Sequence, residues 1–267
     1  MSAIEAPVRL GDSVRGELLL EVEDLRVLYG NVVAVDDFSF GVRRGSVTGL
    51  IGPNGAGKTT VIDALTGYVK PAGGRVRLAD REITGMRPHA LARIGLIRTF
   101  QSVELFDDLT VEENLQVASS SPGVFATLAQ LLTPARSGLD ERVQWAMSVT
   151  DLEPVAGRYP RELSHGQRKL VGVARSLAAQ PTLLLLDEPA AGLDTDETAV
   201  LGRRLRALPE HGVTVLLIDH DMSLVLSVCD QVMVLDFGHK IAEGTPAQIR
   251  VDQAVIDAYL GRSSEEG

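Results

Sequence analysis

Near the start of the chain, apolar positions gather in short β-type runs, Leu18 to Val22, Arg26 to Tyr29, Val32 to Val35 and Phe38 to Val42, punctuated by Gly30 and Asn31 and closed by Gly45. Such runs between turn formers predict strands, so a small β-rich region is expected here. The polar, irregular residues 1–17 before it are expected to form a flexible leader. Val47 to Ile51 is continuously apolar, the pattern of a strand buried on both faces. After a glycine-rich turn, Val61, Ile62, Leu65 and Val69 keep helical spacing, and Pro71, Gly73 and Gly74 are expected to stop that helix.

From about residue 101 to 180 the pattern becomes mainly helical, with Val111 to Ala118, Leu139 to Thr150 and Gln167 to Ala179 predicted as helices. Residues 119–136, carrying Pro122, Gly123 and Pro134, read as a peripheral insertion. Leu183 to Leu186 and Val213 to Ile218 then read as buried strands on either side of a helix from Asp196 to Leu208. That strand-helix-strand rhythm belongs to a parallel sheet, so the expected fold is α/β with a β-rich flap and an inserted helical block.

Composition narrows the function. The 267 residues hold 26 Lys and Arg against 36 Asp and Glu, a net charge of −10, with 45% hydrophobic and 4% aromatic residues. A sizeable core is affordable, and a disordered or fibrous chain is excluded. The acidic balance disfavours nucleic acid as the main partner. No apolar run approaches the roughly 18 to 20 residues of a membrane-spanning helix, and Met1 to Leu20 lacks the apolar stretch of a signal peptide. A lone cysteine, Cys229, forbids an internal disulfide, points to a reducing cytoplasm and shares a helical face with Met222, Val225 and Leu226, the pattern of a packed thiol.

The chemistry sits at strand ends. Gly52-Pro53-Asn54-Gly55-Ala56-Gly57-Lys58-Thr59 fits G-x-x-x-x-G-K-[ST] between a buried strand and an amphipathic helix. Its glycines let successive N–H groups face a triphosphate, Lys58 adds charge and Thr59 offers a hydroxyl to Mg²⁺. Leu183 to Leu186 ends in Asp187-Glu188, where Asp187 can enter the Mg²⁺ shell and Glu188 can polarise an attacking water. His220 follows the next strand; it reads either as a packing residue or as a γ-phosphate contact, and its place on the same rim favours the second. Ser164 and Gln167, in Leu163-Ser164-His165-Gly166-Gln167, have capping-box spacing, and a helix N-terminus with Ser and Gly is a second anion-binding surface. Two such surfaces for one nucleotide suggest that each serves the nucleotide of a partner subunit. Asp236-Phe237-Gly238 matches a kinase magnesium motif in letters only; without an H-R-D loop it reads as a hairpin turn.

In this order the segments resemble the ATP-binding subunit of an ABC transporter, over roughly Leu18 to Gly261. The resemblance implies a P-loop NTPase (RecA-like) core with a mostly parallel sheet, an N-terminal antiparallel β subdomain and an inserted α-helical subdomain. It implies an ATPase domain over 18–250, with its helical subdomain at about 101–180, and a C-terminal extension over 251–267. In that family an L-S-G-G-Q signature closes over the ATP of a second subunit; here His165 replaces the first glycine, leaving Ser164 and Gly166, beside Gln167, to carry the phosphate contact.

Further site residues follow only from the resemblance. Tyr29 resembles the aromatic that stacks on adenine, Thr60 joins the nucleotide-binding set, and Asp194 resembles the aspartate that couples two nucleotide sites. Gln101, in Arg98-Thr99-Phe100-Gln101, resembles the glutamine linking Mg²⁺ and attacking water to the membrane subunit. ATP and Mg²⁺ are the implied cofactors, with Thr59, Gln101 and Asp187 toward the metal and Glu188, His220 and Gln101 catalytic.

Within the family, the likeness is to branched-chain (hydrophobic) amino acid importer ATPases, carried by Arg98 to Gln101, Leu109 to Leu115, Ile241 to Pro246 and Ala258 to Gly261. Urea, short-amide and lipopolysaccharide-export relatives share parts of these segments. Implied partners are membrane permease subunits, a second ATP-binding subunit, identical or related, and indirectly an extracytoplasmic solute-binding protein. The implied location is peripheral, on the cytoplasmic face of the membrane. Two rival readings are weaker. A soluble ABC ATPase acting on nucleic acid or ribosomes is disfavoured by the acidic balance and the lack of a long coiled coil, and a regulatory module without turnover by the presence of Glu188 and His220.

Overall fold

The structure is a computed structural model that describes residues 17–99, 104–119 and 141–263. The leader before residue 17 and most of the expected insertion at 119–136 lie outside the described residues.

Strands β1 (Leu18–Tyr29) and β2 (Val32–Arg43) form a long antiparallel hairpin across Gly30 and Asn31. The four short strands expected from the sequence are therefore two. The apparent breaks are bulges: register shifts fall between Val22 and Leu25 and between Leu25 and Val27, beside Asp24 (φ 49°) and Asp37 (φ 51°). Each bulge disrupts the alternation along one strand while the pairing continues. Strands β4 (Gly73–Leu78) and β5 (Arg81–Glu82) complete this sheet in the order β2-β1-β4-β5, with β3 (Val47–Ile51) entering a second one.

The second sheet, order β10-β9-β3-β8-β7-β6, holds β6 (Leu96–Thr99), β7 (Leu183–Asp187), β8 (Val215–Ile218), β9 (Gln231–Asp236) and β10 (His239–Gly244). All neighbours pair in parallel except β9 with β10, whose hairpin turns at Phe237 (φ 45°) and Gly238 (φ 80°), as the turn reading of Asp236-Phe237-Gly238 requires.

Both faces of the sheet are covered, which is why its strands read as unbroken apolar runs. Leu183, Leu185, Leu216, Ile218, Met233 and Leu235 face the first sheet and α1 (Lys58–Leu65). Leu184, Leu186, Val215, Leu217, Val232 and Val234 face the other helices. That layer contains α3 (Val111–Ser119), α4 (Glu141–Thr150), α5 (His165–Ala178), α6 (Thr195–Ala207) and α7 (Met222–Val228). The short α2 (Pro88–Arg93) lies near β6, and α8 (Pro246–Ile249) and α9 (Gln253–Ser263) follow β10. Among the described residues no helix is long and apolar enough to cross a membrane.

Two local expectations need correction. The first helix stops at Leu65, because Gly67 adopts φ +75° and its backbone packs where a Cβ would stand 2.1 Å from the Met86 carbonyl. Val69 lies beyond the helix, and Gly73 and Gly74 open β4 rather than close α1. Cys229 follows α7 rather than belonging to it, but it is buried, and burial pushes its thiol up to about 12.

Candidate functional site

Because β3, β7, β8 and β9 run parallel, their carboxyl ends open on one rim, where ligands of such sheets bind. The pairs Leu50 with Ile218, Asp187 with Ile218 and Ile51 with Val234 bring those ends to a common level. The Gly52–Thr59 loop, the Asp187-Glu188 pair and His220 all leave from that rim.

The loop is braced on one side and open on the other. Gly57 precedes α1 at φ +108°, a conformation that favours glycine, and a Cβ there would sit 2.8 Å from the Ala34 carbonyl of β2. The β9–β10 turn stitches the two together: Gly238 N–H donates to Ala56 O at 2.9 Å, and Asp36 N–H donates to Gly238 O at 3.0 Å. Helix α1 begins without a side-chain cap and without an acidic residue in its first turn, so its N-terminal N–H groups and dipole suit an anion. Lys58 is buried and its Nζ donates to Gly52 O at 2.7 Å and Pro53 O at 2.9 Å. Those acceptors are neutral, and a phosphate would take the ammonium from them through stronger, charge-assisted bonds. Asn54, Gly55 and Thr59 are exposed at the mouth, with Thr60 half-buried and Pro53 and Ala56 buried below.

At the end of β7 the two acids part company. Asp187 accepts from Arg98 Nη2 at 2.7 Å, while Arg98 Nη1 donates to Asp63 Oδ1 of α1 at 2.6 Å. Burial would pull the guanidinium down, but the Asp187 and Asp63 carboxylates more than reverse it, and its pKa ends above the ordinary value. Glu188 adopts φ +45°, a left-handed backbone that costs a non-glycine residue on the order of 1 kcal/mol, held by its N–H donating to Ile218 O at 2.7 Å. His220 Nδ1 lies 3.6 Å from both Glu188 Oε2 and Asp219 Oδ1, within ion-pair range but beyond a hydrogen bond.

Three charged residues at this rim have roles that the sequence motifs did not announce. Asp219 is wholly buried, accepts from the N–H groups of Asp221 (2.9 Å) and Ala190 (3.3 Å), and is raised by that burial. Lys169 of α5 is buried too; desolvation lowers it, against the opposing charges of Asp219 and Glu188. Its signal was available, since Gly166, Lys169, Leu170, Val173, Ala174 and Leu177 form one buried helical stripe and a lysine on an apolar stripe needs a partner. Arg98 had no such signal, because the alternation of a short strand does not reveal which acids cross it.

The signature segment lies against the loop that follows Glu188. Ser164 is exposed and caps α5 reciprocally: Gln167 N–H donates to Ser164 Oγ at 3.2 Å and Ser164 N–H donates to Gln167 Oε1 at 3.0 Å. His165 Nδ1 is 3.1 Å from Gly192 O, and Gly166 N–H donates to Glu197 Oε1 at 2.8 Å. Asp194 caps α6 by accepting from Glu197 N–H at 2.8 Å. Tyr29 is 48% exposed at the end of β1, in a hairpin whose β2 strand leans on Gly57. Gln101 lies outside the described residues. On the far side of the loop, burial pushes the Tyr259 phenol of α9 up to about 12, with the Gly52 backbone N–H opposing.

Among the described residues, the Thr59 hydroxyl of the phosphate loop and the Asp187 carboxylate at the end of β7 are both hard oxygen donors. Among the described residues no group of three or more His, Cys, Asp or Glu side chains is arranged to hold a metal. One carboxylate and one hydroxyl, completed by phosphate oxygens and water, fit Mg²⁺ delivered with a polyphosphate better than a resident metal.

Residues 35–191 match the family model described as ABC transporter, and residues 239–264 match that described as branched-chain amino acid ATP-binding cassette transporter. The high-affinity branched-chain amino acid transport ATP-binding protein BraF of Pseudomonas aeruginosa is 43% identical over 254 residues, covering 92% of this chain and 98% of the relative. The corresponding LivG protein of Escherichia coli K12 is 41% identical over the same length, with the same coverage. Among solved structures, the ADP conformation of MJ1267, an ATP-binding cassette of an ABC transporter, superposes with a TM-score of 0.78 at 31% identity, covering 92% of this chain and 99% of that one.

Proposed function

The chain belongs to the ABC transporter family of ATP-binding proteins, and on that premise we propose that it is the ATP-hydrolysing subunit that energises import of branched-chain or other hydrophobic amino acids. The branched-chain amino acid transport relatives, aligned over nearly their whole length, and the C-terminal match at 239–264 support that solute class.

In this reading the Gly52–Thr59 backbone, the α1 N-terminus and Lys58 hold the triphosphate, while Tyr29 stacks on the purine. Thr59, Asp187 and Gln101 would hold Mg²⁺, which would supply charge stabilisation to the phosphate oxygens. Arg98 releases Asp187 to that role while keeping Asp63. Glu188 accepts a proton from the attacking water, and Lys169, with Asp219 alongside, keeps a positive charge close to its carboxylate. His220 donates toward the γ-phosphate.

Ser164, Gly166 and Gln167 contact the ATP held by a second cassette, identical or related, and Asp194 couples the two sites. Hydrolysis removes the charge that bridges the protomers, so the pair opens. Permease subunits in the membrane ride on that motion from the cytoplasmic face, and an extracytoplasmic solute-binding protein selects the cargo.

The observation that carries this reading is the convergence of the phosphate loop, Asp187-Glu188 and His220 on one rim. The test is complementation. Lys58→Ala and Ser164→Ala proteins, each inactive in phosphate release, are expected to recover about a quarter of activity in an equal mixture, because about half of the dimers are then mixed and each of these contains one intact composite site of two. Absence of recovery at every mixing ratio, with both proteins folded, overturns the shared-site reading.

A further inference from the structure

The Gly166 N–H that the proposed function gives to a γ-phosphate already has an anion on it. Glu197 Oε1 accepts that N–H at 2.8 Å from 31 residues further along the chain. The carboxylate is presented rather than stray. Asp194 caps the helix that carries it, accepting Glu197 N–H at 2.8 Å, and His165 Nδ1, 3.1 Å from Gly192 O, holds the two segments together. The approach is close: a Cβ on Gly166 would lie 3.1 Å from both Glu197 Cβ and Glu197 Oε1. Glycine at 166 therefore does two things, admitting a phosphate and admitting this carboxylate.

We propose that Glu197 is a built-in competitor for the signature amide: it occupies the Gly166 N–H while the cassette is open and is displaced by the γ-phosphate of the partner's ATP when the pair closes. The inference rests on the shared-site reading above. Its physical content is a threshold. A terminal phosphate carries up to about two negative charges and three acceptor oxygens, against one charge on Glu197, so it wins the donor. A diphosphate, lacking the γ group at that position, leaves Glu197 in place. Closure is thereby made to depend on the third phosphate, and the 164–167 and 192–197 segments, which share the contact, shift together when it breaks.

The experiment measures ATP-driven association in the hydrolysis-arrested Glu188→Gln protein by analytical ultracentrifugation, with and without Glu197→Gln or Glu197→Ala. The amide keeps the shape and loses the charge; alanine loses both. Glu197→Gln is expected to lower the ATP concentration at half-association by about fivefold, the equilibrium factor that corresponds to the difference between a charge-assisted and a neutral hydrogen bond, and Glu197→Ala to lower it at least as far. ATP affinity of the monomer, read by calorimetry, stays unchanged. A midpoint that is unchanged or raised in both variants overturns the proposal, and a raised midpoint is what a purely structural brace would give. If the Glu188→Gln parent binds ATP but does not associate at any concentration, the shared-site reading itself fails.

Discussion

Arg98→Gln removes the cation that bridges two carboxylates at the site while leaving the proposed catalytic groups in place. The Arg98 side chain is 9% exposed and bridges Asp187, 12% exposed, and Asp63, 25% exposed. Glutamine fills most of the volume but leaves two carboxylates without their cation. Breaking a buried pair by removing one partner costs roughly 3 to 5 kcal/mol. Asp63 keeps partial access to water, which sets the expectation at the low end, about 3 kcal/mol. For a domain of this size, each kcal/mol moves the melting temperature by roughly 2 to 4 °C, so a fall of roughly 6 to 12 °C is expected by calorimetry. With saturating Mg²⁺ and ATP, a metal held by Asp187 as proposed would supply the charge that Asp187 has lost, and the gap between variant and parent should narrow to the cost at Asp63. A nucleotide-free loss below about 1 kcal/mol, or a gap that widens with Mg²⁺ and ATP, would refute the bridge as the element that holds Asp187 before the metal arrives.

Glu188→Gln should bind ATP within about twofold of the parent yet lose at least roughly a hundredfold in phosphate release, the usual worth of a general base; hydrolysis within tenfold of the parent would end that assignment. Tyr29→Ala should weaken ATP and GTP alike by roughly 1 to 2 kcal/mol in calorimetric titration, with Tyr29→Phe near the parent, since stacking needs the ring and not the hydroxyl; unchanged affinity in the alanine protein counts against a stacking role. Cys229 titrates near 12 in the folded chain against an ordinary 9, so between those values the unfolded chain has lost a proton that the native chain keeps, and stability falls as pH rises. Cys229→Ala removes that contribution, and the parent should lose roughly 2 kcal/mol more than the variant between pH 8 and pH 10.5 in urea titrations; parallel losses would show that the thiol is not held neutral.

What could be read from the residues was whatever a period or a motif encodes. The buried strands Val47 to Ile51 and Leu183 to Leu186 were legible because both faces of the sheet are covered, α5 because Ser164 and Gln167 have capping-box spacing at its start, and α6 because it falls between two buried strands, whereas its Asp194 cap was not read. The end of α1 was missed because Val69 kept the helical spacing by coincidence while Gly67, two residues earlier, turned the backbone. The bulges at Asp24 and Asp37 were missed for a related reason: a bulge preserves pairing and destroys alternation, so the sequence shows a gap where the sheet has none. Arg98, Asp219 and Glu197 escaped as participants because their partners come from other elements, at separations no local pattern spans.

The division of labour between Asp187 and Glu188 shows the same limit from the other side. Two consecutive residues of a regular strand project to opposite faces, so an apolar run ending in two acids would send one carboxylate toward each layer. Asp187 follows the rule and meets Arg98 and, through it, α1. Glu188 has left the ladder: its left-handed backbone, secured by the N–H bond to Ile218 O, brings its carboxylate toward His220 on the adjacent strand end and into the field of Lys169. A strained φ is kept when the surroundings over-determine it, and here both neighbours do, β8 through the Ile218 carbonyl and the following turn through Ala191 N–H donating to Glu188 O at 3.1 Å. Asp187, the acid proposed to hold metal, therefore sits in relaxed sheet geometry. Glu188, the acid proposed to activate water, is aimed by strain, and any substitution that relaxes the turn after it should cost turnover before it costs nucleotide affinity.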